Sequence, residues 1–144
     1  MAPWLFPVTF AAHVIEEYTA PEWFGAWSER TLGLSISARE FLVWNAFAFV
    51  LMCVGAALTV AFSRLRWIEI AMSTAVLGNA LFHGAAAAWT LSYSPGLVTG
   101  LLLWVPLGVV RLRVGVRESS ARGRRIGVWV GVAAVIVSLS VLAS

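Results

Sequence analysis

The feature that most constrains this chain is a series of apolar stretches, each close to the length of a membrane crossing. About twenty apolar residues span the hydrocarbon core as a helix, and residues 41–63, 67–91, 95–110 and 126–143 reach or approach that length. Charge sits at their edges. Glu40 and Arg64 bound the first stretch, Glu69 lies one turn inside the second, Arg111 closes the third, and a run of arginines precedes the fourth. Composition agrees: 60% of the 144 residues are hydrophobic and 12% are charged, against about twice that charged share in a soluble domain. A soluble enzyme, a nucleic-acid binder and a disordered chain are thereby excluded. The chain reads as an all-α integral membrane protein with one transmembrane domain over residues 1–144.

Residues 3–18 form a fifth apolar stretch that ends at Glu16 and Glu17. It has no basic leading region and no small-residue cleavage site, so it does not read as a removable signal. Taken as a short first span, it gives a bundle of about five helices. All ten cations are Arg, and their placement sets an orientation. Arg64 and Arg66 lie between spans two and three; Arg111, Arg113, Arg117, Arg122, Arg124 and Arg125 lie between spans four and five. The positive-inside rule puts both loops in the cytoplasm, with the N-terminus inside and the 19–39 loop outside. The arginine-rich segment would also touch anionic lipid. In the outer loop, Trp23 and Trp27 are one helical turn apart, as an interfacial anchor or a lid over a site requires. The single cysteine, Cys53, lies inside an apolar run and forms no internal disulfide.

The polar residues inside the apolar runs carry the functional signal. On a helix of 3.6 residues per turn, Glu16 and Glu17 fall on either side of His13, so all three share one face about 100° wide. Two carboxylates and an imidazole near hydrocarbon are costly unless they satisfy one another or bind water or a metal. For Glu16 and Glu17, marking the helix end at the water boundary is the plain alternative. Asn79 and His83 form an i, i+4 pair in span three, and Asn45 lies in span two; interhelical hydrogen bonds would explain each alone. Under the topology above, however, all six fall in the outer half of the membrane. They are therefore expected to line one cavity. Tyr93, in the turn 93–96 on the same side, either caps that cavity or anchors at the interface. Glu69 belongs to the opposite leaflet, where Arg66 three residues earlier is its expected partner.

His13-Val-Ile-Glu16-Glu17-Tyr18, then Pro21, Asn79-x3-His83 and Tyr93-Ser-Pro95-Gly96, in that order, resemble the HXXEE family of small bacterial integral membrane proteins. The resemblance runs over about residues 5–110 and implies the bacterial cytoplasmic membrane. It implies a suspected enzymatic role and no particular substrate. The architecture and polar cluster also look like the sterol-isomerase (emopamil-binding) membrane enzymes, by analogy of arrangement alone.

Two classes of function follow from the residues. In the first, the chain is an enzyme acting on a lipophilic, lipid-like or terpenoid-like molecule that enters from the bilayer. Two adjacent carboxylates in a low-dielectric site would split their proton affinities, giving one acid and one base. Glu16 and Glu17 would then be catalytic with His13 and His83, while Asn45, Asn79 and Tyr93 hold the substrate. Epoxide opening, double-bond isomerisation and terpenoid cyclisation suit this set. No cofactor is named by the sequence, but a divalent metal held by His13, Glu17 and His83 would turn the same site into a metal-assisted hydrolase, with Glu16 as base. In the second class the cluster is a ligand or proton site of a non-enzymatic, lipophilic-ligand-binding or proton-coupled membrane protein. The chain has no pair of Gly/Pro-broken spans and no internal repeat, which disfavours a transporter.

Overall fold

A computed structural model describes residues 2–142, all of whose regular elements are helical. They are α1 (Leu5–Thr19), the short α2 (Phe24–Leu32), α3 (Ala38–Ala61), α4 (Trp67–Thr90), α5 (Leu97–Glu118) and α6 (Ala121–Leu142). Four of these, α3 to α6, are long and apolar enough to cross a membrane. The chain is a multi-pass membrane protein. The first stretch is shorter: α1 rises about 22 Å over its fifteen residues, less than a hydrocarbon core of about 30 Å.

Helix boundaries differ from the apolar runs where local chemistry extends them. Helix α3 starts at Ala38 because Ser37 and Glu40 form a capping box, each side chain bonded to the other residue's backbone N–H. Helix α5 runs past Val110 to Glu118 because Arg111 is not at a water boundary. Its guanidinium donates to Glu69, which is fully buried and also takes a 3.1 Å bond from Arg66. The expected Arg66–Glu69 pair is therefore part of a larger network that includes Arg111 and Glu118. Helix α6 likewise starts at Ala121, taking Arg122, Arg124 and Arg125 into its first turns. Its far end at Ala143 lies outside the described residues.

Helix α4 is the hub, packed on α3, α5 and α6. Its buried stripe runs Glu69, Ser73, Val76, Ala80, His83, a spacing of three and four that keeps one face inward. Lipid tails are as apolar as leucine, so helices in a membrane associate through close packing rather than hydrophobic burial. The α4–α6 seam shows this. Gly127 and Gly131 bring α6 so near that a Cβ would meet the Trp67 carbonyl at 2.5 Å and the Ala71 carbonyl at 2.6 Å. Helix α1 buries Phe6, Phe10, His13 and Glu17 on one stripe. Phe6 and Phe10 join Met72, Val76, Ala80 and Trp104 in the main core. Leu5, Val8 and Ile15 face outward.

Candidate functional site

The C-terminal ends of α1 and α4 meet the N-terminal ends of α3 and α5 at one end of the bundle. Eight of the ten arginines, those numbered 64 to 125, belong to the other end or to the helical turns leading to it. Both histidines of the chain lie at the first end, each 1% exposed. Their rings meet edge to face with centroids 5.1 Å apart. Glu17, 6% exposed, puts one carboxylate oxygen 3.5 Å from His13 Nε2 and 3.3 Å from His83 Nε2. These separations are long for hydrogen bonds, and both Nε2 atoms are buried without a hydrogen-bond partner.

The other ring nitrogens are held. His13 Nδ1 is 2.8 Å from Thr99 Oγ1 and His83 Nδ1 is 3.1 Å from Ser94 Oγ. The Thr99 hydroxyl can turn its own proton to the Gly96 carbonyl, 3.5 Å away. Its oxygen then accepts from His13 Nδ1–H, which leaves Nε2 as a lone pair. Ser94 can fix His83 in the same tautomer. Two nitrogen lone pairs and a carboxylate oxygen facing one another repel unless something positive lies between them. One donor from each of His13, Glu17 and His83 lies within 4.8 Å of the other two. For a tetrahedral metal with bonds of about 2.1 Å, ligand atoms are about 3.4 Å apart. The 3.3 and 3.5 Å edges at Glu17 fit that geometry. Hydroxyls on the outward Nδ1 atoms are the outer-shell partners that metal-bound imidazoles require.

The surroundings are shaped to this cluster. Gly96 has φ +92°, in the left-handed region, and a Cβ there would stand 2.7 Å from His13 Cε1 and 2.8 Å from His83 Cε1. Glycine is needed on both counts. Trp104 stacks on the His13 ring, centroids 3.7 Å apart. It is placed by a widened π turn, Gly100–Trp104, just before Pro106, whose missing N–H and ring clash disrupt the ordinary i→i−4 ladder. Helix α2 roofs the site. Phe24 lies edge-on to His83 at 6.0 Å, and Trp27 is fully buried rather than lying along the interface.

The two neighbouring glutamates do different things. Glu16 faces the N-terminus of α5, accepting from the Tyr93 hydroxyl (2.6 Å), Val98 N–H (3.0 Å) and Thr99 N–H (2.7 Å). A carboxylate there complements the helix dipole and caps otherwise unpaired amides. The arrangement expected of Glu16 and Glu17, a like-charged pair in one pocket, is not the one found. One hundred degrees of helix separates them, and α5 docks between. Partial burial and the adjacent Glu16 carboxylate raise the Tyr93 phenol above its ordinary range, keeping it a proton donor in this bond. Tyr93 therefore touches Glu16 and not the imidazoles.

Asn45 and Asn79 stand back from the histidines. They line a cavity of about 250 Å³ whose wall also includes Glu17, His83, Phe24, Phe41 and Phe82. Asn45 donates to its own helix at the Phe41 carbonyl (2.9 Å). Of the six polar residues expected to converge, Glu17, His83, Asn45 and Asn79 share this cavity. His13 lies behind Glu17 against Trp104, and Glu16 lies outside. Ser94, Gly96, Thr99 and Trp104 position the cluster although no polar spacing in the sequence marks them for that role. Ser94 and Gly96 stand inside the Tyr93–Gly96 motif, which is a signal for them; Thr99 and Trp104 carry none.

No curated protein and no solved structure matches the chain. Residues 4–111, which carry the two histidines, both glutamates and the hydroxyls that hold the imidazoles, match the family described as "Protein of unknown function with HXXEE motif", and the chain belongs to that HXXEE family.

Proposed function

We propose that the chain is an intramembrane enzyme whose His13, Glu17 and His83 hold one divalent metal ion and act on a lipophilic substrate. The observation that carries this reading is the pair of buried Nε2 atoms, unpartnered and turned toward one carboxylate oxygen at 3.3–3.5 Å. Three protein ligands leave a fourth position for water or a substrate oxygen. A metal so held polarises a carbonyl or lowers the pKa of bound water, which supports hydrolysis or epoxide opening. Asn45 and Asn79, on the cavity wall, are placed to hold the substrate's polar group. Glu16 supports the site through α5 and does not supply the base.

Metal-free acid–base chemistry, as in isomerisation or terpenoid cyclisation, is the second reading. It is favoured by the contact of Glu17 with both imidazoles, which lets one proton pass among three groups. Arginine placement orients the chain with its N-terminus inside and the site toward the outer face of a bacterial cytoplasmic membrane. Purified protein analysed for metal decides between the readings. The metal reading expects about one zinc-class ion per chain as purified, and a depleted content in His83→Ala and Glu17→Ala, which hold zinc more weakly. A metal-free wild type that remains metal-free after zinc loading would overturn it and leave the proton-transfer reading.

A further inference from the structure

The polar cavity adjoins a second one. This larger space, of about 370 Å³, has an almost wholly apolar wall built from α3, α4 and α6. Phe10, Ala48, Leu51, Asn79, Phe82 and Ala134 line both cavities, which therefore lie side by side. From Asn79 at the junction the wall follows α4 back to Trp67, twelve residues or about 18 Å at 1.5 Å per residue. Small residues make the room: Ala48 on α3, Ala71 and Ala75 on α4, Ala134 on α6. The result is a trough with a polar head at one end and hydrocarbon walls along the rest.

We infer that this trough binds a single linear hydrocarbon tail of a membrane lipid, whose polar reactive end lies against Asn79, Glu17 and His83. The inference rests on the proposed enzymatic reading of the cluster and names its substrate class: a long-chain molecule with its reactive group at one terminus. The chain enters from the bilayer between α3 and α6, whose outer faces are exposed at Val43, Phe47, Val50, Ile136 and Val137. Its end reaches Leu58, Trp67 and Ile68, which close the far wall.

The test uses the full chain in detergent micelles with palmitic acid carrying a photoactivatable diazirine at its terminal carbon. Mapping of the adducts is expected to place them on Leu58, Trp67, Ile68 and Met72. Labelling should saturate, be competed by unlabelled palmitate, and resist competition by octanoate. Ala75→Trp, which fills the trough from α4, should cut site-specific labelling at least tenfold. Ala134→Trp does the same from α6 and serves if the first variant does not fold. Both should retain the wild-type metal content. Uncompeted adducts spread over the outward faces of α3 and α6 would mean annular lipid and overturn the inference. So would a crosslinked dimer with the trough unlabelled, which would mean that a second copy covers it. Specific labelling in a protein that binds no metal would sustain the trough and refute the metal reading alone.

Discussion

Thr99→Val isolates the role of one hydroxyl while keeping the shape of the site. The backbone N–H of residue 99 still donates to Glu16 (2.7 Å), so the backbone part of the α5 cap is kept, but His13 Nδ1 loses the oxygen 2.8 Å away. An imidazole without its outer partner is free to move its proton to Nε2, and that tautomer cannot ligate. Loss of such partners weakens metal binding about 10–100-fold, or about 1.4–2.8 kcal/mol at about 1.4 kcal/mol per decade. A separate argument gives the same size: a buried donor left unsatisfied costs about 1–3 kcal/mol. The assay is a zinc competition titration against a chromophoric chelator in detergent, with Thr99→Ser as control. The serine variant should bind within a few-fold of wild type. Equal affinity in all three proteins would refute the tautomer argument, and with it the claim that Thr99 orients His13 for a ligand.

Four further outcomes follow. Glu16→Gln should keep its metal and lose part of its thermal stability, because Val98 and Thr99 donate to different carboxylate oxygens and a single amide oxygen replaces only one of them; metal loss there would place Glu16 in the ligand set. Gly96→Ala should destabilise by about 2–5 kcal/mol, combining left-handed backbone strain of about 1–2 kcal/mol with overpacking of about 1–3 kcal/mol against the imidazoles; calorimetric melting checks it, and a melting temperature unchanged from wild type would contradict the packing described. Glu69→Gln should destabilise by about 3–5 kcal/mol by leaving the Arg111 charge unpaired. The double variant Glu69→Gln/Arg111→Met should recover part of that loss, and strict additivity would argue against the network. Tyr93 has a raised phenol pKa in the folded protein, so its contribution is complete below the ordinary phenol value near 10 and is lost as pH rises through the folded value. The stability gap between wild type and Tyr93→Phe should therefore be flat from pH 7 to 9 and shrink above that; a gap that widens with pH would reverse the sign.

Much of this architecture is legible in the residues, and the exceptions have physical causes. The apolar runs locate α3 to α6, and the shared depth of His13, Glu17, Asn79 and His83 points to one end of the bundle. The sequence does not reveal which of two adjacent glutamates faces His83. Both lie on the His13 face, and the choice is made by where α5 docks. The run ending at Val110 is misleading because a charge reads as a water boundary. Arg111 instead finds a partner in Glu69, 42 residues earlier, a pairing that no local pattern shows. The positions of Ser94 and Thr99 on the two Nδ1 atoms depend on the left-handed turn at Gly96, which only the packed structure explains. The spacing of Gly123, Gly127 and Gly131 is a small-residue stripe of the kind that packs membrane helices closely. It could have identified the α4–α6 seam from sequence.

The central claim is that two imidazoles and one carboxylate at this end of the bundle form a metal centre with an open position. X-ray absorption at the zinc edge on the purified, zinc-loaded protein tests it most directly. The account predicts one zinc per chain, scattering from two imidazoles at about 2.0–2.1 Å and oxygen ligands at about 2.0–2.2 Å, and loss of one imidazole component in His83→Ala. Zinc surrounded by oxygen alone, or a spectrum unchanged by His83→Ala, would contradict it.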